Sequence, residues 1–138
     1  MRDLGEGEGS NHQQLVATTS DGTSLLIMTG VLDVGFHLGV NGPAAADGDE
    51  TYRVMMGPKF VPGARAIAMV AAAGVATPGG SMHSVRAVQA DIDDETGRVQ
   101  LTFEVSARLE ADPAATMYRA VRIGEVTYHV TIKGEFAT

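Results

Sequence analysis

Arg98-Val-Gln-Leu-Thr-Phe-Glu-Val-Ser-Ala-Arg-Leu109 is the stretch that decides the fold of this chain. Val99, Leu101, Phe103, Val105, Ala107 and Leu109 alternate with Gln100, Thr102, Glu104, Ser106 and Arg108. A helix sends residues i and i+2 to different sides, so only an extended chain gathers all the apolar side chains on one face. The fully polar opposite face predicts an antiparallel strand with one side toward water or a polar interface.

Two further segments share this spacing. Leu32, Val34, Phe36, Leu38 and Val40 alternate with Asp33, Gly35, His37 and Gly39, and Val126, Tyr128, Val130 and Ile132 alternate with Thr127, His129, Thr131 and Lys133. Each predicts a strand with one buried face. Between the apolar stretches 15–19 and 23–28, Ser20-Asp-Gly22 marks a hairpin, because Asp and Gly tolerate the positive φ of such turns. Asp93-Asp-Glu-Thr-Gly97 marks a second hairpin, joining His83 to Ile92 with the 98–109 strand. Residues 41–50 and 110–115, rich in Pro, Gly and acids, read as surface loops, 52–56 as a short strand and 123–125 as a turn.

Ala64 to Ala76 is continuously apolar after Arg65. Alanine favours helix, whereas the short length, Gly74 and the Thr77-Pro-Gly-Gly80 stop favour a buried strand, which is the preferred reading. No amphipathic crossover helix is available for a parallel sheet. The expected fold is therefore all-β, an antiparallel β-sandwich of about seven strands, forming a single domain over residues 13–138. Residues 1–12 are acidic and Gly-rich and cannot repay ordering entropy by burial, so a flexible N-terminal arm is expected there. The alternative is an arm that orders only against a neighbouring subunit.

The 138 residues carry a formal net charge of −7 and no cysteine. Disulfides, thiolate metal sites and a Cys nucleophile are thereby excluded, and the compartment is left open. An acidic balance with no basic stripe argues against nucleic acid as a partner. Aromatic residues make up 5% of the chain and Trp is absent, so stacking platforms are limited to Tyr52, Tyr118, Tyr128 and the phenylalanines. The longest apolar run, Ala66 to Ala76, is about half a bilayer span, and the N-terminus has no basic region followed by an apolar one. Neither a membrane partner, a transmembrane span nor a secretory signal peptide is expected.

Several residues invite chemical readings. Asp91, Asp93, Asp94 and Glu95 place carboxylates within a few residues, a pattern that suits a hard cation such as calcium, although the glycine and the twelfth position do not fit an EF-hand loop. An ordinary solvated turn explains the same residues, and no other cofactor is expected. Asp47, Asp49 and Glu50 read the same way. His12, His37, His83 and His129 form no paired ligand motif. Ser81 and His83 lie two apart after Gly79-Gly80, but without the strand-to-helix elbow of a nucleophile motif. Gly5, Gly7 and Gly9 lack the Lys-Ser/Thr partner of a phosphate cradle. Arg86, Arg98, Arg108, His37, His129, Tyr118 and Tyr128 are the candidate ligand or interface residues. Cross-strand pairing of the arginines with Glu104 or Asp91 is the simpler account of those three.

Phe60-Val-Pro62, the apolar strand from Ala66 to Ala73, a middle hairpin and the closing strand Val126-Thr-Tyr-His-Val-Thr-Ile-Lys-Gly134 together resemble the H-type lectin β-sandwich over residues 60–134. The resemblance covers about half the chain and lacks that family's cysteines and its Trp-bearing last strand. It implies a six-stranded sandwich assembling as a trimer with glycan ligands at subunit junctions. Small sandwiches of phage tail and head-decoration proteins are similar in the same respects.

With no catalytic constellation in the sequence, the leading expectation is a non-enzymatic homo-oligomeric module, a structural or decoration component of a larger particle or surface. A carbohydrate-binding module using the loops at 41–50, 77–84 and 110–117 is the second expectation. A small enzyme whose site is assembled from separate strands is the third.

Overall fold

Residues 99–109 form a strand whose odd-numbered side chains are buried and whose even-numbered ones are not, the pattern their spacing predicts. The structure, a computed structural model, describes residues 1–5, 9–76 and 81–137. Among these described residues eight strands run in the order β1 (Arg2–Leu4), β2 (Gly9–Thr18), β3 (Ser24–Asn41), β4 (Ala46–Met56), β5 (Arg65–Ala76), β6 (Ser81–Ile92), β7 (Val99–Leu109) and β8 (Tyr118–Gly134). They make two four-stranded sheets, β1-β4-β7-β6 (sheet I) and β2-β3-β8-β5 (sheet II). Every pairing is antiparallel except β1 with β4. The fold is an all-β sandwich.

The core lies between the sheets. Val99 to Leu109 of β7 and Tyr52, Val54 and Met56 of β4 meet Leu26, Met28, Val34 and Phe36 of β3 and Val121, Ile123, Val126, Val130 and Ile132 of β8. Tyr52 and Phe103 stack at 5.5 Å between ring centroids within sheet I. At one end Phe60 and Phe136 close the sandwich, 5.0 Å apart. The Phe60 amide donates to the Gly97 carbonyl at 2.8 Å. Gly97 has φ +69°, and a Cβ there would sit 2.9 Å from the Phe60 carbonyl oxygen, so this turn requires glycine.

Several elements depart from the sequence reading. Two apolar stretches, 23–28 and 32–40, are one strand of 18 residues, and the expected turn at 123–125 is the interior of β8. A bulge between Asp33 and Phe36, with Gly35 at φ +56°, absorbs the break in register opposite Gly124. Residues 46–50, expected as loop, extend β4: Asp47 and Asp49 face outward opposite Arg108 and Ser106, while Gly48 leaves room for Leu38. Alternation with small inward residues overrides the turn-like composition here.

Residues 2–4, expected in a flexible arm, form β1 along β4. Leu4 is 5% exposed, Arg2 donates to the Val34 carbonyl at 2.8 Å, and Arg53 binds Asp3 at 2.6 Å. One buried leucine and two arginine contacts supply what the acidic, glycine-rich composition does not announce. Residues 9–12 likewise belong to β2. The 64–76 segment is strand, as preferred over helix, but only half-buried: Ala66, Ala68, Val70 and Ala72 pack on the core while Ile67 and Met69 are 73% and 69% exposed.

Leu101 and Thr102 are neighbours on opposite faces of β7. Leu101→Ala is expected to cost about 2–5 kcal/mol through lost burial and a residual cavity, whereas Thr102→Ala stays within about 0.5 kcal/mol. Urea unfolding midpoints of the two variants check this.

Candidate interaction surface

The outward faces of the two sheets differ in chemistry. Sheet I presents Asp47, Asp49, Arg53, Arg86, Asp91, Glu104 and Arg108 with Gln100, Thr102 and Ser106, and neutralises much of the charge by cross-strand pairs. Arg86 Nε lies 2.6 Å from Glu104 and Arg108 Nε lies 3.7 Å from Asp47. The Ser84 and Ser106 hydroxyls meet at 2.8 Å. Such exposed pairs contribute little to stability but make the face hydrophilic.

Sheet II carries the opposite pattern, which the register lays out row by row. Leu15, Ile27, Thr131 and Ile67 form one row across β2, β3, β8 and β5. Gln13, Thr29, His129 and Met69 form the next toward one end, followed by Val31, Thr127 and Ala71. Ala17, Leu25, Lys133 and Arg65 bound the patch at the other end. Beyond Val31 the next row, Asp33, Glu125 and Ala73, bounds it at the first end. Among the described residues between these two boundaries no Asp, Glu, Lys or Arg faces outward, while Leu15, Ile67 and Met69 are 63%, 73% and 69% exposed. The β8 positions Thr127, His129 and Thr131 lie between Ile27 and Val31 of β3 and Ile67 and Met69 of β5. Uncharged surfaces with exposed large apolar side chains of this kind mark contact sites.

At the other edge of sheet II, β2 overhangs the sandwich. All of its residues after Gly9 are exposed on both faces, because no long strand of sheet I lies beneath it. The overhang roofs a cleft of about 350 Å³ lined by His12, Gln14, Leu32, Val54, Arg98 and Tyr128 among others. Asn11 at φ +52° and a bulge between Ser10 and Gln13 turn His12 inward. Its Nδ1 sits 2.5 Å from the Tyr128 hydroxyl and its Nε2 sits 2.9 Å from Gln14 Nε2. Tyr128 fits because Gly30 opposite has no Cβ, which would lie 2.5 Å from the phenol oxygen. Burial holds the Tyr128 and Tyr52 phenols above the ordinary value of 10.

The candidate residues named from the sequence do not form one site. Arg86 and Arg108 lie on the outer face of sheet I, and Arg98 donates to the Gly57 carbonyl at 2.8 Å beside the cleft. His37 and Tyr118 meet on the outer face of sheet II, 2.9 Å between Nε2 and the hydroxyl, where Gly39 leaves space for the ring. His129 stands in the middle of the apolar face, Tyr128 on the inner face of the same strand, and His83 on β6. Among the described residues no group of three or more His, Asp or Glu side chains converges as a cation site. In the acidic hairpin, Asp93 accepts from the Thr96 amide and hydroxyl at 2.9 and 2.7 Å. Asp91 faces outward at the end of β6, opposite Gln100. The 93–97 loop is thus a hydrogen-bonded turn.

Two of the loops named for a glycan site adjoin. The Asp112 amide donates to the Pro43 carbonyl, and Arg119 donates to the carbonyls of Gly42, Ala44 and Glu110 at 2.7–3.0 Å. These bonds turn the arginine onto the backbone. The third loop begins with residues 77–80, outside the described residues. Among the described residues no helix is long and apolar enough to cross a membrane. No family model matches the chain, and no curated protein or solved structure matches it either.

Because folding keeps these two phenols protonated, their contribution to stability is full below pH 10 and is lost as pH rises from 10 through the raised folded values. Ultraviolet absorbance titration is expected to show late-ionising phenols, one of them removed by Tyr128→Phe and another by Tyr52→Phe. Ionisation of all three tyrosines together near pH 10 in the folded protein contradicts the burial.

Proposed function

We propose that this chain is a non-enzymatic module that works by self-assembly, as a structural or decoration component of a larger particle or surface. The observation that carries this reading is the uncharged patch on the outer face of sheet II, where Leu15, Ile27, Val31, Ile67 and Met69 stand among uncharged neighbours. Copies that each carry a net charge of −7 repel one another, and at physiological salt that repulsion acts over about 8 Å. A stable contact between copies therefore needs a surface free of acids. This face offers one, while the paired charges of sheet I keep the other side hydrated. A glycan-binding reading finds less support, because the exposed Tyr118 ring is stacked on His37 at 6.0 Å between centroids.

Light scattering of the purified chain tests the reading. The expected result is a mass that is a multiple of 14.4 kDa at micromolar concentration. Ile67→Lys with Met69→Lys is expected to weaken association by tenfold or more, about 1.4 kcal/mol, with the strand signature in circular dichroism retained. A monomer at high micromolar concentration overturns the proposal.

A further inference from the structure

The apolar face does not explain β2. This strand is the edge of sheet II, paired only with β3, and it is exposed on both of its faces from Ser10 to Thr18. Its sequence, Gly9-Ser-Asn-His-Gln-Gln-Leu-Val-Ala-Thr18, contains no Lys, Arg, Asp, Glu or Pro. These are the residues with which edge strands are ordinarily kept from pairing. The other long edges differ. On β6, Arg86 and Asp91 supply charge, and a bulge between Arg86 and Gln89 breaks the ladder. The edge of β5 is flanked by β6, with Val88 beside Ala66, Ala68 and Ala71. Among the described long edges, β2 alone presents an open and uncharged backbone ladder, regular from Gln13 to Thr18 after the bulge at its start.

We infer that β2 pairs antiparallel, edge to edge, with β2 of a second copy of this chain, so that sheet II continues through a twofold axis as one eight-stranded sheet. This rests on the self-assembly reading above and specifies its contact. The occupant follows from charge and symmetry. A chain of net charge −7 meets another copy of itself with least repulsion where neither copy carries an acid. A twofold contact also presents each backbone donor to the equivalent acceptor on the partner.

The axis must stand normal to the sheet if the apolar face is to remain on one side. Opposed residues then share parity, and the regular segment after the bulge, residues 13–18, centres on either Leu15 or Val16. With Leu15 on the axis, the two Leu15 side chains adjoin on the outer face and Gln14 lies opposite Val16 on the inner one. The exposed side chains of the overhang thereby gain neighbours on both faces.

Pairing also changes what the apolar face can do. Four strands spaced about 4.8 Å apart over the roughly six residues of the uncharged rows give one copy a face of roughly 380 Å², short of the ~800 Å² per partner of a standard interface. Two edge-paired copies present roughly twice that area as one surface. Stacking of such dimers through the face gives an even-numbered assembly with two kinds of twofold contact. The trimer implied by the lectin resemblance has neither.

Absence of native cysteine makes single-cysteine crosslinking a direct test. Leu15→Cys and Val16→Cys lie on exposed positions, so each variant is expected to fold, and the one nearest the axis is expected to oxidise to a disulfide dimer of twice 14.4 kDa in most of the sample. Thr102→Cys, on the outer face of sheet I, is expected to remain uncrosslinked under the same oxidant. In parallel, Val16→Lys, on the side of β2 away from the apolar face, is expected to reduce the mass by light scattering at least twofold without loss of the strand signature. If the wild-type chain is an oligomer but neither β2 cysteine crosslinks and the lysine variant keeps its mass, the β2 contact is overturned while assembly through the face stands. If the wild-type chain is a monomer throughout, both proposals fall.

Discussion

Everything in this structure depends on the burial of one face of β7. Its six inward side chains from Val99 to Leu109 lie in the middle of the sandwich, flanked by β4 and β6 within the sheet and covered by β3 and β8 above. A slip of one residue would put Gln100, Thr102, Glu104 and Ser106 into that interior, and burying several unpaired polar groups costs more than the whole domain's net stability of about 5–15 kcal/mol. Register on β7 is therefore specified, and it fixes in turn the registers of β4 and β6 that pair with it.

The same period of two then divides the outer surfaces. Once inward positions are assigned on β4, β6 and β7, the outward ones are mostly polar with several cross-paired charges, the Arg86–Glu104 and Arg53–Asp3 pairs among them, and Met82 and Met55 as apolar exceptions. On β3, β5 and β8 the outward positions between the Leu25–Lys133–Arg65 row and the Asp33–Glu125 row are Ile, Val, Met, Ala, Thr and His. A protein selected only to fold and stay dissolved has no need of two faces so different. The asymmetry is what favours assembly over a free-standing ligand site, since exposed Ile67 and Met69 do nothing for the interior on which the fold rests.

Much of this was legible in the residues and some was not. The alternations at 32–40, 99–109 and 126–132 located strands and their buried faces, because period-two burial leaves a local signature. The turn residues at 20–22 and 93–97 located hairpins, because positive φ at Gly22 and Gly97 is a local demand. Bulges carry no such mark. Residues 29–31 fell between two apolar stretches and 123–125 read as a turn, so two long strands were each divided in two, while the bulge at Gly35 lay unmarked inside a regular alternation. β1 escaped notice because a three-residue strand is held by partners far away in sequence, Arg53 and Val34, rather than by its own composition. The apolar face of sheet II was hidden for a related reason: Leu15, Ile27 and Ile67 are neighbours only once register is known. Its weakest trace in the sequence was the run of apolar residues in 64–76 on both parities, which a half-buried strand does not require. The meeting of His37 with Tyr118, and of His12 with Tyr128, likewise needed the fold.

These last two contacts bear on how an overhanging strand stays extended. β2 receives no support from sheet I over residues 13–18, and a lone ladder to β3 holds such a strand only marginally. Three features anchor its other end. Asn11 in the left-handed region and the bulge beside it turn His12 inward, Gly30 leaves room for the Tyr128 ring, and the short contact between His12 and the Tyr128 hydroxyl joins them. At the hairpin end, Asp21 accepts hydrogen bonds from the Thr19 and Thr23 hydroxyls and meets Lys133 at 3.2 Å, which holds its carboxyl well below the usual range. Between these two clamps the strand is left uncharged, straight and uncovered. A strained non-glycine residue persists only where surrounding contacts over-determine it, and at Asn11 those contacts fix the end of β2 without burying the strand.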